Sequence, residues 1–407
     1  YPLTKKKNGK NITIFVDSKT KKNINKTQLK ELTSRLNNTY VPKHLHNIHI
    51  AKSPNNKVQI IGQDDDERYQ YFYNKKYTDK TECRKYKSLS GLGKIILTLE
   101  NDNSKALKTL YTKLKKTKNY NLEKKDALEL VLYFLLYHHN RIGSKQYLEQ
   151  YGSTGISTLK AKHFLFNSKN KCHIKFIGKK NVENNSYIQY MGNDNIYRIE
   201  NLITSNSKNE STSSTIITNN SNNNLNKITE INVYKNDIHK YVLNIIKLLK
   251  RQKNDDDFMF DYNYINSLTN NTGTSLVSST DFKNYYKAKY NLEITPKMFR
   301  TWFANYYVIY YLNTMNKQII AELKKCKSKS DTNKIISFHK NNVLTYTSTC
   351  LNNTPAICKK KYINNKFLES VFKNLKQQIY KINKHVYSTS YLKTRINIHN
   401  YIKNNVL

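Results

Sequence analysis

Between residues 40 and 75, short apolar runs alternate with turn residues. The stretch "IHIAKSPNNKVQIIGQDDDERYQYFY" divides into two or three strands, with Ser53 to Asn56 and Gln63 to Asp66 as turns. Past residue 85 the period changes. In "NLEKKDALELVLYFLLYHHNRIG", Leu128, Val131, Leu132, Leu135 and Leu136 fall on one broad face, which predicts a buried helix before Gly143 that carries Arg141 at its end. "STLKAKHFLF" and "KCHIKFIGKKN" follow. The second alternates Cys172, Ile174 and Phe176 and turns at Gly178, so a small antiparallel sheet inside a helical domain is expected. Helical spacing resumes at "DIHKYVLNIIKLLKRQ", crosses a polar, turn-rich stretch at 266–279, and runs from "DFKNYYKAKY" to the C-terminus. The predicted class is α+β, with a small β-rich domain over 1–85 and a larger, mainly helical domain over 86–407.

One segment breaks the pattern. Residues 205–226 are almost purely Asn, Ser, Thr and Lys, a composition that buries too little apolar surface to offset its ordering entropy, so a flexible insertion is expected there. The rest of the 407-residue chain is 38% apolar, enough to fill real cores. The longest apolar stretches, "ALELVLYFLLY" and "WFANYYVIYYL", fall short of the about 20 residues that span a bilayer. The five cysteines are odd in number and contain no C-x-x-C pair, which points to neither a disulfide framework nor a zinc site. An intracellular protein in a reducing compartment is expected, neither secreted nor membrane-bound.

Charge narrows the partner. Seventy Lys and Arg against 29 Asp and Glu leave a net charge of +41, spread along the whole chain. An AT-rich genome explains abundant Lys, Asn, Ile and Tyr, but not the scarcity of acidic residues. A polyanion is the expected partner, and double-stranded DNA fits best, because each neutralised phosphate releases condensed counterions.

Four scattered stretches then carry candidate chemistry: "NRIGSKQY" at 140–147, "IKFIGKKN" at 174–181, "TPKMFRTWFANY" at 295–306 and "LNNTPAICKKKYI" at 351–363. Together, and in this order, they resemble the type IB DNA topoisomerases of the poxvirus and bacterial kind. "DDDERYQYFY" at 64–73 is similar to that family's G-x-D-x-x-G-R-x-Q-Y-x-Y stretch, with Glu67 where a glycine is usual. The resemblance covers residues 40–370 apart from the insertion. It implies the tyrosine recombinase/topoisomerase IB catalytic fold and relaxation of supercoiled DNA through a covalent 3′-phosphotyrosyl intermediate. It further implies no ATP, metal or cofactor, and a monomer closing on the duplex as a clamp. The AT-rich composition together with this family points to a large DNA virus as the source.

Elementary chemistry asks for the same parts. Transfer of a phosphodiester to an enzyme hydroxyl needs a nucleophile, cations for the developing phosphorane charge and an acid for the leaving oxygen. The resemblance assigns Tyr362 as nucleophile, although any one of 33 tyrosines is more often packing or surface. Arg141 and Arg300 would clamp phosphate oxygens, a task to which the guanidinium fork is suited. The plain alternatives are a helix C-terminal cation for Arg141 and a buried ion pair for Arg300. Lys179 would protonate the leaving 5′ oxygen with a pKa lowered by neighbouring cations; a solvated strand-end lysine is its alternative, and Lys180 is adjacent. Asn353 stands where poxvirus members carry histidine and bacterial members often asparagine; it can donate a hydrogen bond but not a proton.

Lesser signals complete the set. Arg68, Tyr71 and Tyr73 fall at family positions that contact DNA, and Lys145, Lys359, Lys360 and Lys361 read as phosphate-facing. His44, His46 and His49 lack the carboxylate or cysteine that would complete a metal site. "SGLGK" at 90–94 lacks the span and hydroxyl of a phosphate-binding loop. The alternatives to a topoisomerase are a tyrosine recombinase or integrase, which shares the Arg, Lys, Arg and Tyr logic, and a non-enzymatic basic DNA-binding protein.

Overall fold

The computed structural model describes residues 2–8, 12–17, 22–35, 45–190 apart from 52, 66 and 169, then 196–202, 233–235, 238–265, 272–388 and 390–407. The chain divides into two compact units, Tyr1–Ser88 and Leu89–Leu407. The expected insertion at 205–226 lies outside the described residues.

In the first unit, β1 (Pro2–Asn8), β2 (Ile12–Asp17), β3 (Asn23–Ile24), α1 (Lys26–Arg35), β4 (His46–Ile50), β5 (Val58–Gln63) and β6 (Tyr69–Tyr73) appear in order. The strands form one antiparallel sheet in the order β3-β2-β1-β4-β5-β6. The alternation from 46 to 73 is therefore half of the sheet, and β1 to β3 supply the other half. Leu45, Ile48, Ile50 and Ile60 are buried, whereas Tyr69, Tyr71 and Tyr73 stand exposed on one face of β6, as a period of two requires. The turn before β6 is closed by Asp64, whose carboxylate accepts from the Arg68 and Gln70 side chains. Glu67 adopts φ +59° there, the left-handed conformation that favours glycine.

Helix α2 (Lys75–Lys116) begins in the first unit and runs into the second, where α3 (Lys124–Tyr137), α4 (Lys145–Tyr151), β7 (Phe164–Ser168), β8 (Lys171–Ile177), β9 (Glu183–Tyr190), β10 (Ile196–Leu202) and β11 (Val233–Lys235) follow. After them come α5 (Ile238–Lys250), the hairpin β12 (Tyr262–Ile265) and β13 (Thr272–Ser275), α6 (Ser279–Tyr290), α7 (Pro296–Thr314), α8 (Asn316–Lys325) and α9 (Lys329–Cys350). The chain ends with α10 (Pro355–Lys361), α11 (Asn365–Lys373), α12 (Leu375–Val386) and α13 (Tyr391–Asn405). The sheet β11-β10-β9-β8-β7 is antiparallel. The class is thus α+β, a β-rich N-terminal region followed by a helical body with small sheets. Among the described residues no helix is long and apolar enough to cross a membrane.

One reading changes. Helix α3 is buried on every side from Asp126 to Tyr137, not on one broad face. Its polar residues are satisfied inside: Asn103 donates to the Glu129 carboxylate at 2.8 Å, and the Tyr120 hydroxyl donates to Asp126 at 2.8 Å. The stretch 90–94 is the middle of α2, where a Cβ on Gly93 would sit 2.6 Å from the Trp302 ring, so this glycine lets α7 approach.

Candidate active site

Helix α7 starts at Thr295-Pro296 and α10 at Thr354-Pro355, each with threonine at the cap and proline at the first helical position. Arg300 therefore lies within the second turn of α7, not ahead of the apolar run that follows it. It is 3% exposed. Arg141 also sits differently from its reading, four residues beyond the end of α3 and not on its last turn.

That offset is how the site is built. Helix α3 is stopped by His139 at φ +54°, and α9 is stopped by Asn352 at φ +48°. Each left-handed residue turns the chain and leaves carbonyls of the helix end unused. Arg300 takes them: its guanidinium donates to the His139 carbonyl and, at 2.5 Å, to the Leu351 carbonyl. The negative ends of two helices thus hold one buried cation. His139 is fixed in turn by its ring, 2.5 Å from the Tyr307 hydroxyl.

The residues just past these turns meet each other. Arg141 Nη2 donates to Asn353 Oδ1 at 2.8 Å across 212 residues of sequence. With its oxygen so occupied, Asn353 keeps its Nδ2 buried without a hydrogen-bond partner among the described residues, and Arg300 Nε is in the same state. Two buried donors are left beside two cations, the arrangement of an oxyanion site.

Tyr362 closes the cluster. It caps the C-terminal end of α10, its amide donating to the Cys358 carbonyl at 3.0 Å. The Arg300 guanidinium stands 5.3 Å from its ring centre. Burial alone would raise the Tyr362 hydroxyl, but the charges of Arg300 and then Arg141, with Lys297 behind them, hold its pKa below the ordinary phenol value. Burial and the Arg141 charge lower Arg300 to about 10, which leaves it charged at neutral pH.

Lys179 begins the turn between β8 and β9 and is exposed. Its strand end is nevertheless tied to the Arg141 loop: Thr154 N donates to Ile177 O at 3.0 Å, and Ile156 N donates to Arg141 O at 2.9 Å. Gly155 makes this possible, since a Cβ there would sit 2.4 Å from Gly143, itself at φ +92°.

Of the remaining candidates, Lys145 and Lys360 are exposed, and Lys145 pairs at 3.9 Å with Glu149. Lys359 is half-buried beside Glu369, and Lys361 is exposed. Arg68 is half-buried against Asp64 at 3.1 Å, while Tyr71 and Tyr73 are exposed. His46 pairs with Asp65 and His49 lies on β4; His44 is outside the described residues. No group of three potential metal ligands occurs among the described residues.

Sequence reading missed His139, Asn305, Lys297 and Gly155. Asn305 alone left a signal, an amide inside the apolar run "WFANYYVIYYL". The roles of His139 and Gly155 lie in a backbone carbonyl and a close backbone approach, which residue types do not advertise.

Residues 74–233 match the family model of the eukaryotic DNA topoisomerase I catalytic core. The DNA topoisomerase 1B of Acanthamoeba polyphaga mimivirus is 25% identical over 336 residues, covering 82% of this chain and 78% of that protein. Both likenesses point to a type IB DNA topoisomerase. The matched core contains Arg141 and Lys179, and the topoisomerase 1B relative extends the likeness over most of the chain. The fold places Arg300 and Tyr362 together although 62 positions separate their numbers, 362 less 300.

Proposed function

We propose that this topoisomerase cuts one strand of a DNA duplex with Tyr362, holds the 3′ phosphate as a phosphotyrosyl ester while the duplex swivels, and reseals the strand. The observation that supports this most is the convergence of Arg141, Asn353, Arg300 and Tyr362 from three distant stretches into one partly buried cluster. The Tyr362 oxygen gives up its proton to solvent and attacks phosphorus; the bond to the 5′ oxygen breaks, and that oxygen takes a proton from Lys179. One phosphodiester becomes another, so the reverse step reseals without ATP.

Arg141 and Arg300 donate to the non-bridging oxygens as negative charge grows on them. Asn353 adds its free Nδ2 hydrogens; an amide does not titrate, so its part is electrostatic. Donors from three residues, Arg141, Arg300 and Asn353, fixed before the reaction, supply the stabilisation for which other enzymes use a divalent ion, so activity in chelator is expected. Arg68, Tyr71 and Tyr73 on the first unit and Lys145, Lys359, Lys360 and Lys361 on the second contact the duplex. One chain carries every group, so a monomer is assigned.

The test is incubation with supercoiled plasmid in EDTA without ATP, beside Tyr362→Phe. Relaxation by the wild type and none by the variant is expected. Equal relaxation by both removes the nucleophile assignment, and joined DNA molecules in place of relaxed circles favour a recombinase.

A further inference from the structure

Tyr362 sits on a three-residue link, Tyr362-Ile363-Asn364, between α10 and α11, and nothing in so short a link fixes a side chain by itself. Its backbone is held from outside. Asn305, on the helix that carries Arg300, donates through Nδ2 to the Tyr362 carbonyl at 3.2 Å and accepts through Oδ1 from the Asn364 amide at 2.9 Å. One side-chain amide thus pins both ends of the link to α7.

Asn364 extends the chain of contacts. Its Oδ1 caps α11 by accepting from Lys366 N at 3.1 Å and Phe367 N at 3.3 Å. Its Nδ2 donates to the Val406 carbonyl at 2.6 Å, just past the end of α13. Helix α13 is itself locked deep in the second unit. Arg395, 4% exposed, donates to Glu100 on α2 at 2.5 Å, and His399 Nδ1 accepts from Trp302 on α7 at 2.8 Å. Burial opposes the charge on Glu100, but Arg395 and His399 outweigh it and lower its pKa to about 2. The segment after the tyrosine therefore closes a loop of contacts from α7 through α13 back to the nucleophile.

Resting on the reading of Tyr362 as nucleophile, we propose that Asn364 is a positioning residue that couples docking of the C-terminal helix to the aim of the tyrosine. Capping and tethering are separable at this residue. Asn364→Ser and Asn364→Asp both keep an oxygen that caps α11, but neither offers the Nδ2 donor to Val406, and the aspartate sets a carboxylate against that carbonyl. A residue serving only as a cap would tolerate both changes.

The experiment measures single-turnover cleavage of a nicked-product DNA substrate at saturating protein, DNA affinity and the melting temperature for both variants. Misaiming a nucleophile by about 1 Å costs about 100-fold in rate. The expected result is a cleavage rate lowered about 10- to 100-fold with DNA affinity and melting temperature near wild type. Wild-type cleavage by either folded variant overturns the inference. Rate loss only in proportion to lost melting temperature or affinity overturns it as well, because a structural role suffices for that. A wild-type protein that forms no Tyr362 adduct is a different failure, which removes the proposed function itself.

Discussion

At Tyr362 two effects compete: burial opposes ionisation, and the neighbouring positive charge favours it and wins. The charged and titratable groups around the hydroxyl are Arg300 and Lys297 on α7, Arg141 on the loop after α3, and Cys358 and Lys361 on α10. A lowered pKa puts the anion within reach at lower pH. The cleavage rate should therefore rise with pH and level off below the usual phenol value of about 10. Replacing Arg141 with alanine removes one stabilising charge and should move that bend to higher pH, as single-turnover rates across the range will read. Arg300 makes a sharper prediction. Lysine cannot place two parallel donors on the His139 and Leu351 carbonyls, so Arg300→Lys should lose about 100- to 1000-fold in cleavage rate while still binding DNA. A rate within tenfold of wild type would show that charge alone matters there. Asn353 is an amide and does not titrate. Its contact with Arg141 now gives it a defined orientation, which no pattern in "LNNTPAICKKKYI" reveals.

Helix ends do the placing in this molecule, and sequence reading saw the helices better than their ends. The apolar run at 127–137 was legible as a helix, and the alternation at 172–176 as a strand, because both periods are local. The stop at His139 was not, since a histidine at φ +54° is held there by its ring contact with Tyr307 and by Arg300 on its carbonyl, both distant in sequence. The burial of α3 on every side from Asp126 to Tyr137 was equally hidden, because its polar partners, Asn103 and Lys289, come from other helices. The same reasoning separates two glycines. A Cβ on Gly155 meets the backbone of Gly143 at 2.4 Å, which cannot yield, whereas a Cβ on Gly178 meets the Asn184 amide, which can swing away. Gly155→Ala should cost about 1–3 kcal/mol and displace the Arg141 loop, and Gly178→Ala should cost less. Urea unfolding of the two variants checks the order, and equal costs would contradict the close-approach argument.

Over the whole molecule, a net charge of +41 predicts DNA binding that weakens steeply with salt, measurable as the slope of affinity against salt concentration. Stability should depend on pH through buried bases. Burial pushes His138 down to about 3 and lowers His139, His239 and His399 as well. These rings stay neutral in the fold but take up protons in the unfolded chain below their ordinary value near 6.5. Their contribution is complete above that pH and lost as pH falls through it, before the usual carboxylates titrate. The urea midpoint should drop between about pH 7 and 5, and a flat midpoint would contradict the neutral assignment. The central claim, that one tyrosine among 33 carries the DNA, has its most direct test in mass spectrometry of the protein trapped on cleaved DNA. A 3′-phosphoryl nucleotide on the peptide containing Tyr362 is the predicted result; the same mass on any other tyrosine peptide, or on none, would contradict it.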